Sequence, residues 1–201
     1  MTDAPTPAPQ HPETPPTVET PPPASPATTA LAFAVHEVEQ HVAAAGWDGP
    51  VRVFALVATG RALAAEPALA HQLPPAVVAL ARQDPHHLTS VEQEGLPAAD
   101  DLEGMLGGLS WPGTVDGAAV VVERVVLPPA AEESMPADPA SALDYLMGHP
   151  DRQDVRLAVG VLRSGESWCA VRTRAHDDDA SVAGAADLVP GLVEAVAATL
   201  R

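Results

Sequence analysis

His36 and His41 bracket the run His36-Glu37-Val38-Glu39-Gln40-His41, which has the composition of a zinc-binding helix. The spacing defeats that chemistry. Ligands sharing one helix face need to be four residues apart, whereas a separation of five turns the rings about 140° from each other at roughly 100° per residue. His86 and His87 follow Pro85 in a loop-like stretch, and adjacent side chains of an extended segment face opposite ways. Asp177-Asp178-Asp179 offers hard oxygen ligands, but the spacing and closing glutamate of an EF-hand are missing. It reads as a solvated turn, or as negative charge supplied to a helix N-terminus. Cys169 is the only cysteine, so the chain forms no internal disulfide and no cysteine-based zinc site. Its apolar neighbours at alternate positions make it a small core residue rather than a nucleophile. No Gly-x-Ser-x-Gly elbow, phosphate loop or Gly-x-Gly-x-x-Gly run occurs. No catalytic residue, metal ligand or cofactor is therefore expected.

The constellation that does hold together is cationic. Val155–Leu162 and Ser167–Thr173 flank Arg163-Ser164-Gly165-Glu166, which signals a hairpin. Requiring one dry face, with an extra residue accommodated at Gly165, fixes the register. Val155, Leu157, Val159 and Val161 then lie with Cys169, Val171 and Thr173, and Arg156, Trp168, Arg172 and Arg174 share the opposite face. If that face is open, three guanidiniums beside an indole form a positive island suited to an acidic protein partner or a carboxylate ligand. Replacing any one arginine would then change stability by under roughly 1 kcal/mol. The plainer alternative is that Glu123 or Asp154 neutralises them as ordinary cross-strand pairs.

Several elements must position this hairpin. Leu31, Val35, Val38, Val42 and Ala45 recur at helical spacing, with Thr28 or Thr29 as cap and Gly46 as stop. Trp47-Asp48-Gly49-Pro50 turns the chain into a strand over Val51–Ala58. Residues 60–82 are broken by Pro67, Pro74 and Pro75 into short helical turns, and Leu88–Glu94 alternates as a second strand. One or two helical turns are expected over Asp100–Leu106, and a β-branched strand over Gly117–Leu127 ends at Pro128-Pro129. A short helix, Pro139–Met147, starts behind Asp138, and Asp187–Leu200 is helical. Few crossovers fit this order. It implies an α+β fold, a mostly antiparallel five-stranded sheet with helices packed on one face.

Residues 1–26 carry ten of the 23 prolines and almost no large apolar side chain, so this segment reads as a disordered arm with polyproline-II character. It is either an entropic tail or a ligand for a proline-binding module, and the folded domain is expected over 27–201. With 10 basic and 27 acidic residues the net charge is -17, which repels nucleic acid and anionic lipid surfaces. The first residues show no signal-peptide pattern and no apolar run is long enough to span a membrane, so a cytoplasmic setting is expected.

Two blocks, Val122-Glu123-Arg124-Val125-Val126-Leu127-Pro128-Pro129 and His149-Pro150-Asp151-Arg152-Gln153-Asp154-Val155-Arg156, resemble a family of actinobacterial proteins without an assigned reaction, over about residues 28 to 200. The resemblance implies no activity. Separately, the element order resembles that of small acidic secretion chaperones, which pair a helix-backed antiparallel sheet with a client-binding surface. The function expected is that of a non-enzymatic cytoplasmic protein-binding or chaperone-like adaptor, acting alone or as a homodimer. The alternative is a small-molecule sensor, or an enzyme whose site carries no familiar motif.

Overall fold

The computed structural model describes residues 24–96, 99 and 101–201. The expected arm lies outside the described residues except for Ala24, Ser25 and Pro26.

Helix α1 runs from Pro26 to Ala43. Its cap is Ser25, upstream of the expected threonines: the Ser25 Oγ accepts the Thr28 N–H at 3.0 Å, and Pro26 fills the first helical position, where no N–H is needed. Leu31, Val35, Val38 and Val42 are buried as the spacing implied, and so is Glu39.

Strand β1 (Arg52–Ala58) leads through two short helices, α2 (Thr59–Ala65) and α3 (Pro75–Gln83), into β2 (Leu88–Glu92). Helix α4 (Leu102–Gly107) precedes β3 (Gly117–Val126), and α5 (Pro129–Glu132) and α6 (Pro139–Gly148) separate β3 from β4 (Gln153–Leu162). Then come β5 (Ser167–Thr173), β6 (Ala183–Ala185) and α7 (Pro190–Thr199). The sheet has six strands in the order β2-β1-β3-β4-β5-β6, every neighbouring pair antiparallel. The sixth strand, not expected from the sequence, is Ala-Gly-Ala and carries no β-branched residue to announce it.

Helices cover both faces of the sheet, not one. On one side α1 packs over Phe54, Leu56, Ala119, Val121, Ala158 and Ala170. On the other, Met105 and Leu106 of α4 and Val196 of α7 pack over Val53, Val120, Val159 and Cys169. The reason lies in β1, β3 and β4, which are apolar at both parities, and a sheet dry on both faces must be covered twice. Close approach of α1 to β4 depends on Gly160, where a Cβ would sit 2.4 Å from the Val35 Cγ2 and 3.1 Å from the Leu31 Cδ1.

Candidate functional site

The β4–β5 hairpin has the register the dry-face argument requires, with Val155 opposite Thr173, Leu157 opposite Val171 and Arg156 opposite Arg172. The arginine face, however, is the face that α1 covers. Arg156 and Arg172 are 0% and 2% exposed. Glu39 reaches down from α1 and takes Arg172 in a bidentate pair, 2.7 Å from Nε and 2.7 Å from Nη2. Asp179 accepts from the same Nη2 at 2.6 Å. Arg156 donates from Nη2 to the Glu123 carboxylate at 2.9 Å and to the Gly46 carbonyl, and its Nη1 lies 3.7 Å from Glu39. The Glu39 hydrogen bond, then that of Asp179, raises the Arg172 pKa against the effect of burial, so the guanidinium stays charged. No open positive island exists among the described residues, because each of these arginines has a carboxylate beside it. The signal in the sequence was an acid, Glu39, set inside the buried stripe of α1.

The loop after α1 seals the network. Trp47 lies over the Arg156 guanidinium at 4.3 Å and near that of Arg174 at 5.4 Å, and its indole N–H donates to Asp177 at 2.9 Å. Its ring face compensates Arg156, whose Nε and Nη1 make no hydrogen bond among the described residues. Asp48, at φ +66°, donates its backbone N–H to Glu123 at 2.7 Å, and its carboxylate holds Arg174 through 2.9 Å and 2.6 Å contacts. That pairing keeps the Asp48 carboxyl below its ordinary value. The Asp177-Asp178-Asp179 run thus divides its work: Asp177 and Asp179 face Arg172, and Asp178 caps the turn at Ser181, accepting its N–H at 3.0 Å. The arrangement braces α1 against the sheet, and Arg156, with Val42, Gly46, Arg52, Glu92 and Glu123, lines a cavity of about 520 Å³.

The remaining singled-out residues scatter. His41 packs edge-on to Phe54 and lies 3.5 Å from Glu92, while His36 meets Gln40 at 3.1 Å. The His87 Nδ1 is 2.8 Å from the buried Thr59 hydroxyl. Cys169 is fully buried, and burial raises its thiol pKa. Among the described residues no helix is long and apolar enough to cross a membrane.

A groove of about 440 Å³ opens beside this network, between α1 and the β5–β6 edge of the sheet. Phe33, His36 and Thr29 form one wall, Val182 and Gly184 the other, and Trp168 the floor. Phe33 is 69% exposed although it projects from the middle of a well-packed helix. Gly184 lets the indole lie against β6, since a Cβ there would come within 3.1 Å of the Trp168 Nε1. The indole N–H groups of Trp47 and Trp111 donate to Asp177 and Thr199, but among the described residues that of Trp168 donates to nothing. Of the four residues singled out on the hairpin, Trp168 borders this groove and Arg156 borders the separate cavity described above; the sequence period paired them on one face but could not show which open spaces that face meets.

A protein-family model described as PPA1309-like protein matches residues 31–201, a span that contains both blocks on which the family resemblance rests. No curated protein and no solved structure matches the chain.

Proposed function

We propose that this chain, which belongs to the PPA1309-like protein family, is a non-catalytic binding protein whose α1–β6 groove receives an apolar segment of a protein partner. Phe33 carries the reading. Single exposed hydrophobic residues are ordinary, but Phe33, 69% exposed, faces a second aromatic across a concave apolar surface at the edge of a sheet. Aromatic-lined grooves and free sheet edges are the two surfaces that short protein segments most often occupy. Trp168 contacts the partner in this account. Arg172 and Arg156 act from beneath by holding α1, one wall of the groove, through Glu39, and Arg174 latches the Trp47 loop through Asp48. A chaperone-like adaptor in the cytoplasm is the specific form of this role that we favour.

The small-molecule alternative asks for several convergent polar groups. Here the Thr28 and Thr29 hydroxyls are engaged with Ser25 in the helix cap, which leaves His36 and the Trp168 N–H. Selection of displayed random peptides on the full-length chain, with counter-selection on Phe33→Asp, tests the proposal. The expected result is a family of apolar peptides that bind the variant roughly tenfold or more weakly, with both proteins melting alike. Peptides that bind both proteins equally, or no enrichment at all, would overturn it.

A further inference from the structure

We propose that the partner's segment enters the sheet as a further strand along β6, with every second side chain set between Phe33 and Trp168 and a basic residue against the Asp177–Asp179 turn. This inference rests on the groove being a docking site for protein segments and assigns the mode of docking. Strand β6 stands last in the order of the sheet, and the direction of its backbone groups follows from the hairpin beside it. The Arg174 N–H donates to the Asp154 carbonyl and the Leu162 N–H to the Glu166 carbonyl. The backbones of Glu166 and Arg174, and by alternation those of Trp168, Ala170 and Arg172, therefore face β4. Those of Cys169 and Val171 face β6, where they meet Ala185 and Ala183. Gly184, between these two, turns its N–H and carbonyl outward, away from β5. Val182, extended at φ −70° and ψ 115°, turns its own groups the same way.

Backbone and side-chain directions are coupled in a strand. Residues directly opposite one another on neighbouring strands share a face, and Gly184 lies on the Trp168 face, where a Cβ would come within 3.1 Å of the indole Nε1. A partner residue that exchanges hydrogen bonds with Gly184 thus sends its own side chain onto that face, into the groove that Phe33 and Trp168 line. Because Gly184 has no side chain, β6 leaves that position to the partner. The residue opposite Val182 does the same, two positions along. Strand addition of this kind draws affinity from main-chain bonds and specificity from alternate side chains. Charge supplies the flank. Asp177, Asp178 and Asp179 precede β6, and the guanidinium beside Asp177 and Asp179, that of Arg172, is already held by Glu39. The turn therefore keeps an excess of negative charge at the Val182 end of the edge, in a chain of net charge -17. An apolar pair spaced i, i+2 with a basic residue beyond it complements the edge, the groove and the turn together.

The test takes a peptide selected on the full-length chain and scans it twice, once with single alanine substitutions and once with single backbone N-methylations. Expected are two sensitive positions, two residues apart, at which either change weakens binding roughly tenfold or more. N-methylation of the residue between them should weaken binding only about twofold, since its N–H faces away from β6. On binding, the Gly184 amide of the full-length chain should exchange its hydrogen far more slowly, while Ala183 and Ala185, already paired with β5, change little. Replacing the basic residue of the peptide with glutamine should weaken binding at low salt and have little effect at high salt. Sensitive positions three or four apart, the spacing of a helix or a polyproline segment, would overturn the inference, as would indifference to N-methylation or an unchanged Gly184 amide. Shifts measured in the same complexes separate the two readings. If the peptides still move Phe33 and Trp168, strand addition alone falls; if no peptide moves them, the groove itself fails as a docking site.

Discussion

Glu39 is the residue on which the arginine network turns. Among the described residues it is the one carboxylate within 4.0 Å of both Arg156 and Arg172, and all three side chains are out of water. Removing one partner of a buried pair leaves an uncompensated charge, so Glu39→Gln should lower stability by about 3–5 kcal/mol, read by urea unfolding at neutral pH. Arg174→Gln should change stability far less than Glu39→Gln does, because Arg174 and Asp48 are 41% and 73% exposed and their attraction is screened. Equal losses in the two variants would refute the division into inner and outer arginines. A pH effect follows from Glu92, whose carboxyl is held below its ordinary value first by the hydrogen bond from Arg52. A depressed folded pKa stabilises the protein above the ordinary carboxylate range, and that contribution is lost as the pH falls through the lower folded value. Arg52→Gln should therefore flatten the acid limb of a stability-against-pH curve and leave its alkaline limb unchanged. At this scale the sequence was legible in register and illegible in exposure. Alternation told which side chains share a face with Arg156, but the helix that covers that face comes from more than a hundred residues upstream.

Among the elements, α1 is seated by the smallest residue beneath it. A methyl group at position 160 would meet Val35 and Leu31 well inside contact distance, so Gly160→Ala should cost about 1–3 kcal/mol by overpacking. It should also displace α1 from Trp168 and weaken groove binding. Full stability in that variant would mean that α1 can move away from the sheet without penalty. Strong periodicity made α1, β3, β4 and β5 readable, and the charged or small positions hid the rest. The α1 cap was misplaced because Ser25 stands among prolines, although Pro26 is well suited to a first helical turn. Strand β6 escaped because Ala-Gly-Ala has no strand preference of its own and exists by pairing with Cys169, Ala170 and Val171. Coverage of both sheet faces was written in β1, whose Val53, Phe54, Ala55 and Leu56 are all buried, yet the topology alone does not say which helices provide it.

For the molecule as a whole, a net charge of -17 goes with carboxylate-paired Arg156, Arg172 and Arg174, so that among the described residues the strand face of the hairpin offers an acidic partner no unpaired arginine. An acidic peptide should consequently bind no faster at low salt, whereas a basic flank on an apolar peptide should speed association there. The groove is not the only apolar surface: Leu143 and Met147 of α6 are 59% and 50% exposed, on an excursion that contributes no buried residue. That competing patch makes a direct localisation decisive. Saturating the full-length chain with a selected apolar peptide and mapping amide and indole shifts should place the changes at Thr29, Phe33, His36, Trp168 and Val182–Gly184. Changes clustered instead around Leu143 and Met147 would contradict the assignment of the α1–β6 groove as the binding site.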